Sequence, residues 1–497
     1  TATADNGIEL DGNVTTTGSQ LYDGGVTLNA VVVLTGQELD FVGNISGPGS
    51  LGLQPLQPTQ AILVGGVDTG DPNILELTGA EVDLLRPTID SIAINSITIG
   101  RADGTGTLTV DQSGASFSVP LLLQSPGNGG TIVANGAIQT NGPPLTLVAG
   151  DTADIYADMT TAGGMIDVTS GGTIDTTGGF LRSRSTTQAG GDITLSAASS
   201  ITTGGELSAY GATQGGDISL TSSNGNINIA DALVAGASFL DGSQLVTTDQ
   251  GGSIAIEAGG SITAGEVFSV GQVSDGDISI LSNGGTITVT GAVGDSIVSN
   301  GTGGAVRLEA LGDIVAQNIL ATGISGGADI NIVSSSGAID TSAGTTDSSS
   351  TTGDGGAINL AAAGTIDAGD MDSTSDGGRG GAITLDSGGD ILTGSVTFGS
   401  ISASSGDPLT ANTSGVIEFA GLVPNGADTV LGEATRPSNI LLPSAAATRG
   451  GSMALWVADE YTFASDLTTD QGDFSLDGLQ AVTFTAPVQT NGGDVSV

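Results

Sequence analysis

Short stretches in which apolar and polar residues alternate recur along this chain, each preceded by glycine. In the copy at 190–197, Gly-Gly-Asp-Ile-Thr-Leu-Ser-Ala, the apolar Ile193 and Leu195 alternate with polar neighbours. This pattern predicts a β-strand with one apolar face. Related copies begin at further glycine pairs, at Gly215, Gly251, Gly303, Gly355 and Gly380. A phrase that returns in this way predicts one structural unit stacked many times.

A second apolar phrase follows each of these strands at a nearly fixed distance. Ile201 follows Ile193, and Ile262 follows Ile254, after eight residues in both cases. A third apolar phrase often comes next, as at 206–209. Three short strands and three corners form one coil of a parallel β-helix, whose stacked coils bury the apolar face that a single strand leaves exposed.

The sequence therefore predicts an all-β fold, a parallel β-helix or β-solenoid. At roughly 20–27 residues per coil, a chain of 497 residues gives about 18–22 rungs. One departure is expected at 78–85, where an acidic start and helix-like spacing precede Pro87. This stretch predicts one short helix or turn.

The regularity of the repeats divides one continuous solenoid into five sections. Proline and loss of the repeat mark the less regular sections. The expected sections are N-terminal rungs at 1–60, a less regular part with insertions at 61–160, regular repeats at 161–404, an irregular insertion at 405–450 and C-terminal rungs at 451–497.

Two inserts and the chain ends complete this organisation. The stretches 237–250 and 341–354 are rich in Ser, Thr, Asp and Gly, and we interpret them as surface loops. The chain begins at Thr1 without Met and ends at Val497 inside a repeat phrase. We therefore expect a segment of a longer, processed polypeptide.

The charge balance restricts the partners. The chain has 53 acidic and 8 basic residues, a net charge of −45. Such a surface repels phosphate backbones and anionic membranes, so neither nucleic acid nor a membrane is an expected partner. No apolar run is long enough for membrane insertion. An acidic surface attracts divalent cations and basic proteins, and it suits a saline exterior where self-repulsion is screened.

The composition also limits the site chemistry. The chain has no Cys and no His, so the usual zinc and haem ligands and His-dependent acid–base catalysis are excluded. Asp367, Asp370, Asp372 and Asp376 lie close together in a turn-rich stretch, which predicts a calcium site. The alternative is that these carboxylates only solvate a loop. No other cofactor is expected.

Parallel β-helices also carry polysaccharide lyases and hydrolases, so an enzyme has to be considered. Lyases need a basic residue beside a carboxylate-bound calcium ion, whereas this chain has no Lys or His. Arg182 and Arg184 form its only close basic pair, and we expect both to pair with neighbouring acids. The sequence therefore favours a protein without catalytic activity, with a β-helix lyase or hydrolase as an alternative.

The Gly-Gly-Asp-Ile-x-Leu phrases followed by Gly-x-Ile-x-Thr-Gly resemble the repeats of filamentous-haemagglutinin-like exoproteins. They look most like the large Gly- and Asp-rich surface proteins of cyanobacteria and related bacteria. The resemblance covers most of 100–400. It implies a right-handed parallel β-helix, secretion to the exterior or surface of a bacterial cell, and a role as a filament or adhesin. The Asn-Pro-Asn motifs of the family's secretion domain are absent from this chain.

Two hypotheses of function follow besides the enzyme. The first is a secreted structural solenoid of an extracellular filament, with other copies of itself as partners through end-to-end or lateral assembly. The second is an adhesin whose loops bind a cell-surface glycan, a neighbouring cell or a basic protein.

Overall fold

The structure is a computed structural model that describes residues 2–3, 7–86, 93–236, 239–241, 244–246, 249–294, 301–399, 407–443 and 445–497. The chain divides into two compact units, unit 1 at Thr1–Val246 and unit 2 at Thr247–Val497. In both units almost every regular element is a short strand that pairs in parallel with the equivalent strand of the next coil. The predicted all-β solenoid is therefore confirmed.

The coils of unit 1 have three faces, which follow one another along the chain. The first face contains Val14–Thr15, Val31–Gly36, Ser50–Pro55, Ile97–Ile99, Leu121–Ser125, Leu145–Ala149, Ile166–Ser170, Ile193–Ala197 and Ile218–Ser222. The second face contains Ala2–Thr3, Gln20–Asp23, Leu39–Phe41, Ala61–Val64, Ile74–Leu77, Thr107–Val110, Thr131–Ala134, Thr152–Ile155, Thr173–Thr176, Ile201–Thr203 and Ile227–Ile229. The third face contains Ile8–Leu10, Val26–Leu28, Ile45–Ser46, Ala115–Phe117, Ile138–Thr140, Met159–Thr161, Leu181–Ser183, Leu207–Ser208 and Leu233–Ala235. An antiparallel hairpin, Phe239–Asp241 with Gln244–Val246, follows the last coil.

Unit 2 repeats this plan. Its first face contains Ile254–Ala258, Ile278–Ser282, Val306–Ala310, Ile330–Ser334, Ile358–Ala362, Ile383–Ser387, Leu409–Thr413, Thr429–Leu431, Met453–Val457, Phe474–Gly478 and Val495–Ser496. The second face contains Ile262–Ala264, Ile287–Val289, Ile314–Val315, Asn439–Leu441, Tyr461–Phe463 and Val482–Phe484, and the third contains Val267–Ser269, Val293–Gly294, Ile319–Leu320, Ala445–Ala447, Asp466–Thr468 and Val488–Gln489. Four longer strands bend across both of these faces, namely Ile339–Asp347, Ile366–Asp372, Ile391–Thr397 and Val416–Val423.

The stacking of like residues explains this register. Ile193 lies beside Ile218, and Leu195 lies beside Leu220, in consecutive coils of the first face. All four side chains are fully buried, while the residues between them point outward. Because side chains alternate between the two sides of a strand, a shift of one residue would expose the whole apolar set. The alternation in the sequence therefore determines both the core and the register.

The predicted helix lies in unit 1 and is confirmed as α1, Gly79–Leu84. The hydroxyl of Thr78 accepts the backbone N–H of Glu81, and the Glu81 carboxylate accepts the backbone N–H of Thr78. This reciprocal pair is a capping box, which satisfies N–H groups that a helix start leaves unpaired. The strand before the helix, Ile74–Leu77, pairs with Ala61–Val64 as an additional strand of the second face.

The interpretation of 341–354 as a surface loop is wrong for most of its length, and only 351–354 form an exposed turn. Residues 341–347 belong to a long strand, and Ser348 is fully buried and donates its hydroxyl to the carbonyl of Gly356 at 2.7 Å. A polar composition does not require a surface loop here, because small hydroxyl side chains bind backbone carbonyls inside the coil. In the other insert, residues 237–238, 242–243 and 247–248 lie outside the described residues.

The stretch 405–450, which the sequence predicts to be irregular, also contributes strands. Leu409–Thr413 and Thr429–Leu431 pair in register with neighbouring coils of the first face. The prolines fall between strands, and the carbonyl of Pro408 accepts the N–H of Ile383. Proline at a corner needs no N–H partner, so it does not interrupt the ladder.

Candidate functional site

Two of the four predicted calcium ligands line one groove on the outside of unit 2. Asp367 and Asp370 border a groove of about 600 Å³ together with Thr345, Thr393 and Glu418. The long strands bend here at glycine: a Cβ atom on Gly369 would collide with the carbonyl oxygen of Gly344 in the preceding coil. Burial and the nearby Asp340 carboxylate raise the pKa of Asp367.

The other two predicted ligands are not part of this groove. Asp372 lies beyond the bend and accepts the N–H of Thr374 at 2.8 Å, whereas Asp376 lies in the exposed turn that follows. Asp370 itself accepts the N–H of Ser395 in the next coil at 2.7 Å. Among the described residues, no group of three or more His, Cys, Asp or Glu side chains is arranged to hold a metal ion.

An aspartate just before the first-face strand joins one coil to the next. The Asp192 carboxylate accepts the N–H of Asp217 at 2.9 Å, and the Asp277 carboxylate accepts the N–H of Ala305 at 3.0 Å. Both donors occupy the position just before a first-face strand, where a corner leaves the N–H without a ladder partner. In the same way Asp329 accepts the N–H of Ala357, Asp428 accepts that of Ser452 and Asp473 accepts that of Asp494.

Sequence reasoning missed this role, although the signal was present. An aspartate recurs directly before the first apolar residue of the strand, as at Asp192 and Asp217. A residue at a fixed position in a stacked repeat meets its own counterpart in the next coil. Many of the carboxylates that give the chain its charge are thus hydrogen-bond acceptors between coils.

Buried hydroxyl groups join the coils from the inside. The last position of the first-face strands alternates between Ser and Ala in successive coils, as at Ala258, Ser282, Ala310 and Ser334. Ser282 donates to the carbonyl of Gly260 in the preceding coil at 2.7 Å and accepts the N–H of Gly285. These bonds satisfy backbone groups at a buried corner, where an unpaired group would cost about 1–3 kcal/mol.

The expected pairing of the two close arginines is confirmed. Arg184 contacts the Glu206 carboxylate at 3.0 Å, and Arg182 approaches it at 3.5 Å. Each guanidinium also stacks on an aromatic ring, Arg182 on Phe180 at 4.0 Å and Arg184 on Tyr210 at 4.6 Å from the ring centroid. Two cations therefore share one carboxylate on the third face of unit 1.

A second cluster of acids surrounds the additional strand and helix α1. Glu38 accepts the N–H of Glu76 at 3.3 Å, and the buried Glu81 accepts the N–H of Phe41 at 3.0 Å. The Glu76 carboxylate, itself buried, accepts the N–H of Thr69 at 2.7 Å. Burial and the adjacent Asp40 carboxylate raise the pKa of Glu38 from 4.5 to about 7. Burial also raises the pKa of Glu81.

Within the described ranges, no helical segment has the length and apolar character of a membrane span. Comparison of the chain with protein-family models, with curated proteins and with solved structures gave no match.

Proposed function

We propose that this chain is a non-catalytic structural β-solenoid that forms part of a secreted filament on a bacterial surface. The observation that supports the proposal is that the repeated residues make contacts between coils. The Ile and Leu positions are buried in stacked columns, and the aspartates before the strands accept hydrogen bonds from the next coil. Residues repeated for a ligand would instead leave their polar atoms directed away from the coils.

This arrangement supports a mechanical role. Each coil binds the next through parallel backbone pairing, buried hydroxyls and corner carboxylates, so each added coil extends the same ladder. The acidic outer surface keeps such a filament soluble through self-repulsion, and external salt screens that repulsion. We propose calcium as an additional ligand of the acidic outer surface, with Asp367 and Asp370, which line the same groove, as candidate ligands.

Electron microscopy of the native material with calcium, and again after chelation, tests the filament. The proposal predicts long uniform filaments that label with an antibody on intact cells. Loss of the filaments on chelation would assign a structural role to calcium. Discrete short particles under both conditions, or material confined to the cell interior, would contradict the proposal.

A further inference from the structure

A pocket of about 440 Å³ lies at the corner between the first and second faces of unit 1. Three consecutive coils line it, through Thr17, Gln37 and the turn at 56–60. Pro72 and Asn73, which precede the additional strand, form the remaining wall. We call it the amide pocket, and its volume falls in the range of small-molecule sites, about 300–1,000 Å³.

The lining of the amide pocket is polar and uncharged. It consists of four amide side chains, two hydroxyls and two apolar residues, namely Gln37, Gln57, Gln60, Asn73, Thr17, Thr59, Leu56 and Pro72. The amides are concentrated here, because Gln37, Gln54, Gln57 and Gln60 lie close together in the sequence whereas the stretch 318–470 contains no glutamine. A local concentration of one polar residue type at a pocket favours a binding role for that type.

Two of these amides are held in place by one end only. The Gln37 Nε2 atom donates to the carbonyl of Pro72 at 2.8 Å, and the Gln60 Nε2 atom donates to the carbonyl of Gln37 at 2.9 Å. In the part of the chain that the structure describes, no donor contacts the Oε1 atom of either amide. The Gln57 side chain, which is exposed, makes no hydrogen bond to a described residue. The pocket therefore presents two oriented acceptors and one amide with both of its functions available.

The turn that carries Gln57 and Thr59 is fixed from the next coil. The carbonyl of Pro58 accepts the N–H groups of Thr105 at 2.8 Å and of Gly106 at 3.1 Å. Arg101 donates from Nη1 to the carbonyl of Leu56 at 3.4 Å. A pocket whose walls are already ordered loses little conformational entropy when a ligand binds.

These groups fit a ligand that carries several hydroxyls. An amide both donates and accepts, and so does a sugar hydroxyl, whereas the C–H face of a sugar ring requires apolar contacts of the kind that Leu56 and Pro72 offer. Glu38 and Asp71 directly adjoin lining residues in the sequence, and the chain has a net charge of −45, so an anionic sugar would be repelled. The fitting ligand is therefore neutral.

We propose that the amide pocket binds a neutral pyranose unit of a glycan. Gln37 and Gln60 accept hydrogen bonds from its hydroxyls, and Gln57 and Thr59 bind it at the exposed side of the pocket. An extended peptide is a poorer ligand, because only Leu56 and Pro72 offer apolar contacts to its side chains. This inference goes beyond the structural role and does not depend on it.

Nuclear magnetic resonance of the full chain, labelled with ¹⁵N in glutamine, tests the proposal. The probes are the methyl glycosides of glucose, galactose, mannose and N-acetylglucosamine. We expect at least one of them to bind with a millimolar dissociation constant and to shift the side-chain amide signals of Gln37, Gln57 and Gln60. The signal of Gln112, in an exposed turn of the same unit, should not move.

Substitutions and a charged probe complete the test. Gln57→Ala should weaken binding about fivefold, as expected for one lost hydrogen bond, and Gln112→Ala should leave binding unchanged; both are read from the Gln60 signal. Methyl glucuronide and methyl galacturonide should bind at least fivefold more weakly than the best neutral glycoside at about 0.01 M salt, where charges are little screened. No shift with any neutral glycoside, shifts that include Gln112, unchanged binding in Gln57→Ala or tighter binding of the uronides would overturn the proposal, while filament formation would be unaffected.

Discussion

Glu38 allows a direct test of the acid cluster around helix α1, because with a pKa of about 7 its charge changes near neutral pH. In the unfolded chain this carboxyl loses its proton near its ordinary value of 4.5. The folded state therefore binds more protons between pH 4.5 and 7, and stability falls as the pH rises through this window. Glu38→Gln removes the charge but keeps an oxygen that can accept the N–H of Glu76.

The size of the effect follows from the shift in pKa. At 1.36 kcal/mol per unit, a shift from 4.5 to about 7 corresponds to about 3 kcal/mol as an upper limit. Glu38 is half-buried, so solvent screening reduces the figure to about 1–2 kcal/mol. Glu38→Gln should therefore stabilise the additional strand and helix α1 by that amount at pH 8 and lose the advantage below pH 5.

Hydrogen exchange measured by mass spectrometry reports this difference where it arises. At pH 8, peptides that cover 74–84 should exchange about 5- to 30-fold more slowly in Glu38→Gln than in the parent chain. The two proteins should converge at pH 5. Glu9→Gln, at an exposed strand position of the same unit, is the matched control and should leave exchange unchanged at both pH values. Equal exchange at pH 8, or a difference that does not vary with pH, would refute this reasoning.

Two further substitutions test the coil contacts, both read from the midpoint of urea unfolding. Asp277→Ala removes the acceptor for the N–H of Ala305 and should lower the free energy of unfolding by about 1 kcal/mol. Asp277→Asn keeps an acceptor and should lower it less. Equal losses of stability in the two variants would argue against the corner bond. Ile218→Asp places a charge in the core beside Ile193 and should lower the free energy of unfolding by more than about 4 kcal/mol. Ser219→Asp, which points outward on the same strand, should be tolerated. A folded Ile218→Asp protein would contradict the stacked core.

The fold could be predicted well because the spacing of the repeats can be read directly from the sequence. Ile193 and Ile218 occupy the same place in consecutive phrases, and the structure stacks them directly. The prediction was poorer for polar segments, because a serine such as Ser348 has the same composition signal in a loop and inside a corner. Only the positions of the neighbouring coils distinguish the two.

The sites were harder to predict for a related reason. Asp367 and Asp370 share a groove because two faces bend there, while Asp372 lies beyond the bend. Sequence proximity alone could not separate them. Residues about one coil apart in sequence, as Thr160 and Arg182 are, become neighbours only through stacking.

Engineered disulfides test the parallel, in-register stacking of coils most directly, because the chain has no cysteine of its own. Thr194 lies beside Ser219, and Asn331 lies beside Asn359, in consecutive coils. Parallel neighbours at about 4.8 Å fall within the Cα distance that a disulfide spans. Parallel, in-register stacking predicts that cysteines at Thr194 and Ser219, or at Asn331 and Asn359, join under mild oxidation. It predicts that cysteines at Thr194 and Thr221, displaced by two residues, do not. Efficient bonding of the displaced pair with failure of the aligned pairs would contradict it.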